Sequence, residues 1–296
     1  MKLGTFRRQN VTFIGVLDVD GAAAVDLAAA AAATPGYQED RQLFSDMRTT
    51  LPAVGRIAGL LKACPAPERF KFPLSELEVL APIANPNKII CIGLNYLDHA
   101  IESHAEVPTE PVVFTKFRTS ITGPNQPIRL PRISDSVDYE AELAVVIGKT
   151  GKRIAEEAAM DYVAGYTAFN DVSARDLQSR GGQWTKGKAL DSFAPLGPYL
   201  VTKDEIADPH QLSIKLELNG KVMQDSSTSQ LIFKIPQLIS FLSELFTLEP
   251  GDLIATGTPP GVGMARKPPV FLKPGDNVKV IIAGVGELAN PVVADV

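Results

Sequence analysis

Four acidic residues and one imidazole stand at spacings that can do chemistry in this 296-residue chain. Glu140 and Glu142 lie in the stretch Val137 to Gly148, VDYEAELAVVIG. If that stretch is one strand, alternation puts Asp138, Glu140 and Glu142 on one face, with Tyr139, Leu143 and Val145 on the other. Buried carboxylates within about 7 Å of one another cost several kcal/mol per charge, unless a cation neutralises them or one keeps a proton. The apolar run LAVVIG predicts burial on both faces, so the acidic end should open onto a cavity. Asp171, at the end of a second predicted strand from Gly165 to Val172, offers a third oxygen ligand. Two glutamates, an aspartate and water form the oxygen-only sphere of Mg²⁺ or Mn²⁺, with Ca²⁺ as a substitute. Zinc fits less well, because no histidine or cysteine lies near these ligands in sequence.

His99 and Glu102 stand three apart in the segment Leu97 to Glu106. On a helix they share a face, where the carboxylate orients the ring and raises its basicity, as in a general base that activates water. His104 has no such partner and reads as surface. Prolines 108 and 111 bracket the polar run His99 to Glu110, which is expected to act as a lid. Lys188 closes GGQWTKGK, whose spacing imitates a phosphate-binding loop. Ala189 stands where that loop needs Ser or Thr, so nucleotide binding is excluded and Lys188 is read as a stabiliser of an enolate or carboxylate oxygen. The loop Thr256 to Gly263 is stiffened by Pro259 and Pro260. Its amides and the Thr258 hydroxyl are suited to holding a carboxylate or carbonyl.

The elements that must position these groups follow from periodicity. NKIICIG, Lys88 to Gly93, reads as a buried strand, Ala155 to Val163 as a helix, and Ser173 as an N-cap with Asp176 three residues on. Asn219-Gly220 signals a type I′ hairpin, and Leu238 to Phe246 an amphipathic helix. Ahead of them, KLGTFRR and TFIGVLDVDG are short strands. Alanines 28 to 33 form a short surface helix, and Glu39 to Cys64 forms packing helices broken at Pro52. Prolines 65, 67 and 73 read as a linker, which divides the chain into a small N-terminal domain, 1–80, and a main domain, 81–296.

Composition narrows the function classes. Net charge is −5 with no dense basic block, so neither nucleic acid nor an anionic membrane surface is an expected partner. A small molecule is the default. The two cysteines, Cys64 and Cys91, have no metal or redox spacing and read as buried thiols. No apolar leader or membrane-length run appears, which predicts a cytoplasmic protein, or one of an organellar matrix where a targeting peptide has been removed.

From about Pro82 to the C-terminus the chain resembles the fumarylacetoacetate hydrolase family. The motifs GLNYLDHAIE, DYEAELAVVIGK, FNDVSARDLQ, QWTKGKALDSFAPLGP and TGTPPGVG carry the resemblance, in that order. It implies an α+β, mainly β fold, a mixed β-roll, assembled as a homodimer, with Glu140, Glu142 and Asp171 holding Mg²⁺ or Mn²⁺. His99 and Glu102 become the water-activating dyad, Lys188 the oxyanion partner, and Tyr96, Arg175, Gln178 and Thr258 substrate contacts. Leu94 stands where several acylpyruvate-cleaving members carry arginine, so their contact to a second substrate carboxylate does not carry over. The expected activity is metal-dependent C–C hydrolysis of a small 2-oxo or 2,4-dioxo acid such as an acylpyruvate. Oxaloacetate tautomerisation or decarboxylation at the same site is the alternative, and a non-catalytic binder of metal and 2-oxo acid the second.

Overall fold

A computed structural model describes residues 1–102 and 106–295. His104 therefore lies outside the described residues, as does part of the expected lid. The architecture is mixed α/β with sheets dominant, built on a 12-stranded sheet and a five-stranded one. At the centre of the larger sheet runs the strand Ala141–Ile147, all seven residues buried. Its alternation divides two cores. Leu143, Val145 and Ile147 face one apolar cluster with Ile214, Leu216 and the helix Ile235–Leu245. Ala144 and Val146 face another with Leu3, Ile57 and Phe169. This is the two-sided burial that the run LAVVIG predicts.

Strand Ala141–Ile147 pairs antiparallel with Val163–Asn170 on one side and Leu253–Ala255 on the other. Beyond Leu253–Ala255 lie Ile89–Gly93 and then Val112–Lys116. The smaller sheet contains the hairpin Ser213–Leu218 and Lys221–Ser227. Its turn has φ of 55° at Asn219 and 78° at Gly220, the double positive φ a type I′ turn requires.

The N-terminal residues share the larger sheet, where Lys2 and Leu3 pair with Val201 and Leu200 of the strand Ala194–Thr202. Several sequence expectations need correction. The proline-rich stretch that resembles a linker includes the strand Lys71–Pro73, paired to Ala23–Asp26. The alanine helix, Leu27–Ala33, buries Leu27, Ala30 and Ala31, so it packs into the core rather than lying on the surface. The acidic stretch is two strands in one register: Val137–Asp138 pairs with Ser173–Ala174, Tyr139 and Glu140 stand between, and the central strand begins at Ala141. Ser173 thus belongs to a strand, and the one-turn helix Arg175–Gln178 starts after Ala174 without a side-chain cap. Asp176 instead accepts a hydrogen bond from Ser134 Oγ at 2.5 Å, a structural role.

Candidate active site

Glu140 just before the central strand, Glu142 within it and Asp171 just after strand Val163–Asn170 converge. One carboxylate oxygen from each lies within 4.8 Å of the others, and all three residues are buried. Cations surround two of them. Lys188 Nζ donates to Glu140 Oε2 at 2.9 Å and to Asp171 Oδ2 at 2.8 Å. Lys116 Nζ lies 2.7 Å from Asp171 Oδ1 and also donates to the carbonyls of Val172 at 2.9 Å and Phe193 at 2.8 Å. Arg175 bridges Glu140 Oε1, at 2.6 Å, and Asp138 Oδ2, at 2.8 Å. Glu142 differs. Its Oε2 accepts a hydrogen bond from Gly257 N–H at 2.8 Å, and it forms no ion pair among the described residues.

The electrostatics follow from these partners. Burial pushes the Glu140 carboxyl up, but the charges of Lys188 and Arg175 outweigh it and hold the group at about 2. Burial and then the charges of Asp171 and Glu140 drive Glu142 well above the usual carboxylate range. For Lys188, burial is outweighed by Asp171 and Glu140, and its pKa is raised. For Lys116 burial prevails and its pKa is lowered. With Asp138 included, four carboxylates meet three cations, and the uncompensated one is Glu142. A divalent cation fits this donor set: three buried carboxylates, each with lone pairs beyond those its protein partners occupy, and one that lacks a countercharge.

The raised Glu142 carboxyl has a measurable consequence. A metal binds the carboxylate form, so binding works against the raised pKa, releases a proton wherever Glu142 holds one, and weakens as pH falls through that pKa. Calorimetric titration with Mn²⁺ in buffers of different ionisation enthalpy should give buffer-dependent heats. Identical heats would mean that Glu142 is already ionised.

The second half of the site is the dyad. The helix Leu97–Glu102 places His99 and Glu102 on one face, with His99 Nδ1 3.1 Å from Glu102 Oε2. Gly261 N–H donates to both oxygens of Glu102, at 2.9 and 3.1 Å, fixing the carboxylate that fixes the ring. Nε2 is then the nitrogen available for proton transfer. His99 and Glu102 line a cavity of about 510 Å³ that Glu140, Glu142, Lys188, Arg175, Gln178 and Thr258 also line. Phe114 and Trp184, their rings edge-on with centroids 5.3 Å apart, form an apolar part of its wall.

Two expected substrate contacts are placed differently. Tyr96 is fully buried among the apolar core residues and does not line the cavity; its backbone bridges to Leu231, which directs the ring inward. Thr258 does line the cavity, but its hydroxyl donates to Ala141 O and accepts from Gln224 Nε2, both at 2.9 Å. Asp171 sits behind the cavity wall, held by the two lysines. The glycine loop holds carboxylates as expected, and they are the protein's own: Gly257 binds Glu142, Gly261 binds Glu102, and Gly263 and Met264 bind Asp138 at 2.7 and 3.0 Å. Sequence reasoning missed Lys116, whose only signal is a lysine inside the apolar strand VVFTK. It also left Asp138 without a role, although alternation had placed it on the acidic face.

Residues 88–293 match the family model described as fumarylacetoacetate (FAA) hydrolase C-terminal, and the chain belongs to that family of enzymes. The oxaloacetate tautomerase fahd2 of Xenopus laevis, named as mitochondrial, is 58% identical over 221 residues, 74% of this chain and 69% of that protein. The fumarylacetoacetate hydrolase domain-containing protein 2 homolog of Dictyostelium discoideum is 48% identical over 266 residues, 86% of this chain and 87% of its own. Among solved structures, maleylpyruvate hydrolase from Sphingobium sp. SYK-6, in complex with manganese(II) ion and pyruvate, is 32% identical with a TM-score of 0.80, covering 100% of both chains.

Proposed function

We propose that this protein is a divalent-metal-dependent tautomerase of oxaloacetate. The observation that carries the reading is one cavity bordered by a carboxylate-oriented imidazole and a buried ammonium, above three converging carboxylates. The tautomerase name of the Xenopus relative favours proton transfer over the C–C hydrolysis that the sequence put first.

When bound to Glu140, Glu142 and Asp171, Mg²⁺ or Mn²⁺ supplies positive charge against which a 2-oxo acid can develop enolate character. The chain's own groups move the proton. His99 Nε2 takes a proton from C3 as the C–H electron pair becomes the C2=C3 double bond and the 2-oxo oxygen gains negative charge. Glu102 stabilises the imidazolium and keeps the ring aimed. The 2-oxygen lies one carbon from C3, so the same nitrogen can return the proton there and complete the enol. Lys188 has three N–H donors, of which two go to Glu140 and Asp171, leaving one for the developing oxyanion. Arg175 and Gln178, joined at 3.1 Å, border the same cavity beside Glu140, as contacts for the substrate's 1-carboxylate.

The test follows loss of the enol absorbance of oxaloacetate with Mg²⁺ or Mn²⁺, with pyruvate assayed in parallel. Enol loss without pyruvate supports the tautomerase. His99→Ala should lower its rate by about 10² to 10⁴ and leave Mn²⁺ affinity intact. An equal rate in His99→Ala and parent would remove the dyad from the mechanism. Pyruvate from oxaloacetate would mark a decarboxylase, and turnover of an acylpyruvate alone would restore the hydrolase reading, which the manganese-and-pyruvate complex of the Sphingobium enzyme supports. Metal and 2-oxo acid binding without turnover would leave a binding protein. The mitochondrial relative favours an organellar matrix over the cytoplasm, and no helix among the described residues is long and apolar enough to cross a membrane.

A further inference from the structure

Three cations line the cavity: Arg175, Lys188 and Lys267. Arg175 is committed to Asp138 and Glu140, and Lys188 to Glu140 and Asp171. Lys267 is exposed and forms no ion pair among the described residues. Its backbone is nonetheless well held. The preceding turn is pinned by Gly263 and Met264 N–H to the buried Asp138, at 2.7 and 3.0 Å, and closed by Val270 N–H to Gly263 O at 3.0 Å. A Cβ at Gly263 would stand 1.9 Å from Val270 O, so the two sides of this loop touch. The other side chains that border the cavity away from the acidic cluster, Leu94, Trp184 and Met264 among them, carry no charge.

We propose that Lys267 is a specificity-determining residue that pairs with the distal carboxylate of a 2-oxo dicarboxylate, selecting diacids over 2-oxo monoacids. The inference rests on the 2-oxo acid reading above and narrows its substrate class. A diacid whose 1-carboxylate and 2-oxo group face the three-carboxylate cluster carries its second charge along the cavity. There the only lining cation without a carboxylate partner among the described residues is Lys267. The ammonium is partly solvated, so the pairing is screened by salt and moderate in strength.

The experiment compares oxaloacetate with phenylpyruvate, which enolises but has a neutral distal group, in the Mn²⁺-loaded full chain. In Lys267→Met the ratio of kcat/KM for oxaloacetate to that for phenylpyruvate should fall about fivefold to tenfold, mainly through KM, with partial recovery in Lys267→Arg. The parent ratio should itself decline as ionic strength rises. An unchanged ratio in Lys267→Met would overturn the proposal while leaving the tautomerase reading standing. If the parent turns over neither compound, that reading fails. Calorimetric binding of 2-oxoglutarate against 2-oxobutanoate then decides Lys267 separately: a parent preference for the diacid that Lys267→Met loses supports the role, and no loss overturns it.

Discussion

Glu142→Gln should abolish divalent-metal binding and turnover while making the metal-free protein more resistant to heat. Glu142 is 1% exposed, accepts one backbone hydrogen bond and lies beside the charges of Asp171 and Glu140. In the metal-free protein its raised pKa means that, at pH values between the unfolded and folded pKa, folding takes up a proton that the unfolded chain does not hold, which costs stability. The sign is that of a carboxyl raised on folding: the cost is absent below the unfolded pKa, grows as pH climbs above it and is complete above the folded pKa. Glutamine is neutral at every pH, can still accept from Gly257 N–H, and removes the cost. The metal-free melting temperature should therefore rise by on the order of a few degrees, with the gain shrinking as the buffer is acidified. Activity should fall by at least about 10³, because a neutral amide is a poor ligand for a hard cation and the charge opposing the enolate is lost. Equal metal affinity in variant and parent, read by Mn²⁺ calorimetry, would take Glu142 out of the ligand set. A metal-free variant that melts lower would show that its carboxylate has a countercharge after all.

Lys116→Met should be the most damaging single change to stability in this region. The ammonium is buried, donates to the carbonyls of Val172, Lys188 and Phe193, and lies 2.7 Å from Asp171 Oδ1. Methionine preserves the volume and leaves three carbonyls and half a carboxylate without that donor. Removing one member of a buried ion pair typically costs about 3–5 kcal/mol. Urea unfolding of the metal-free chain measures it. A midpoint for Lys116→Met equal to the parent's would mean that solvent satisfies these groups, and Lys116 would then be dispensable to the fold.

The two residues differ in how far sequence reveals them. Glu140 and Glu142 stand out because acids alternating into an apolar run contradict the burial of that run, and the contradiction implies a cation. Asp171 stands out by its place at a strand end. Lys116 does not, since a lysine in VVFTK reads equally as an edge residue, and only the fold shows carbonyls from three other positions turned toward it. Alternation held through the acidic stretch: Tyr139 joins Leu143 and Val145 in one core while Glu140 and Glu142 face the cavity, and Asp138, paired with Ser173–Ala174, serves Arg175 and the glycine loop. The pairing of the N-terminal residues was not legible. Prolines mark chain direction changes, but pairing between Lys2–Arg8 and Ala194–Thr202 joins residues about two hundred apart, which no local pattern encodes.

The glycine loop carries one more consequence. Its amides at Gly257, Gly261, Gly263 and Met264 are each committed to a protein carboxylate, and those carboxylates belong to a candidate metal ligand, the dyad acid and the anchor of Arg175. The loop is therefore a shared hinge pin for acids that stand as much as 40 positions apart in sequence, from Glu102 to Glu142. An engineer wishing to retarget the pocket should leave this backbone alone and vary the side chains that face the ligand, at Leu94, Trp184 or Lys267. Grafting a loop of another length would loosen several functional acids at once, and no single compensating substitution would restore them.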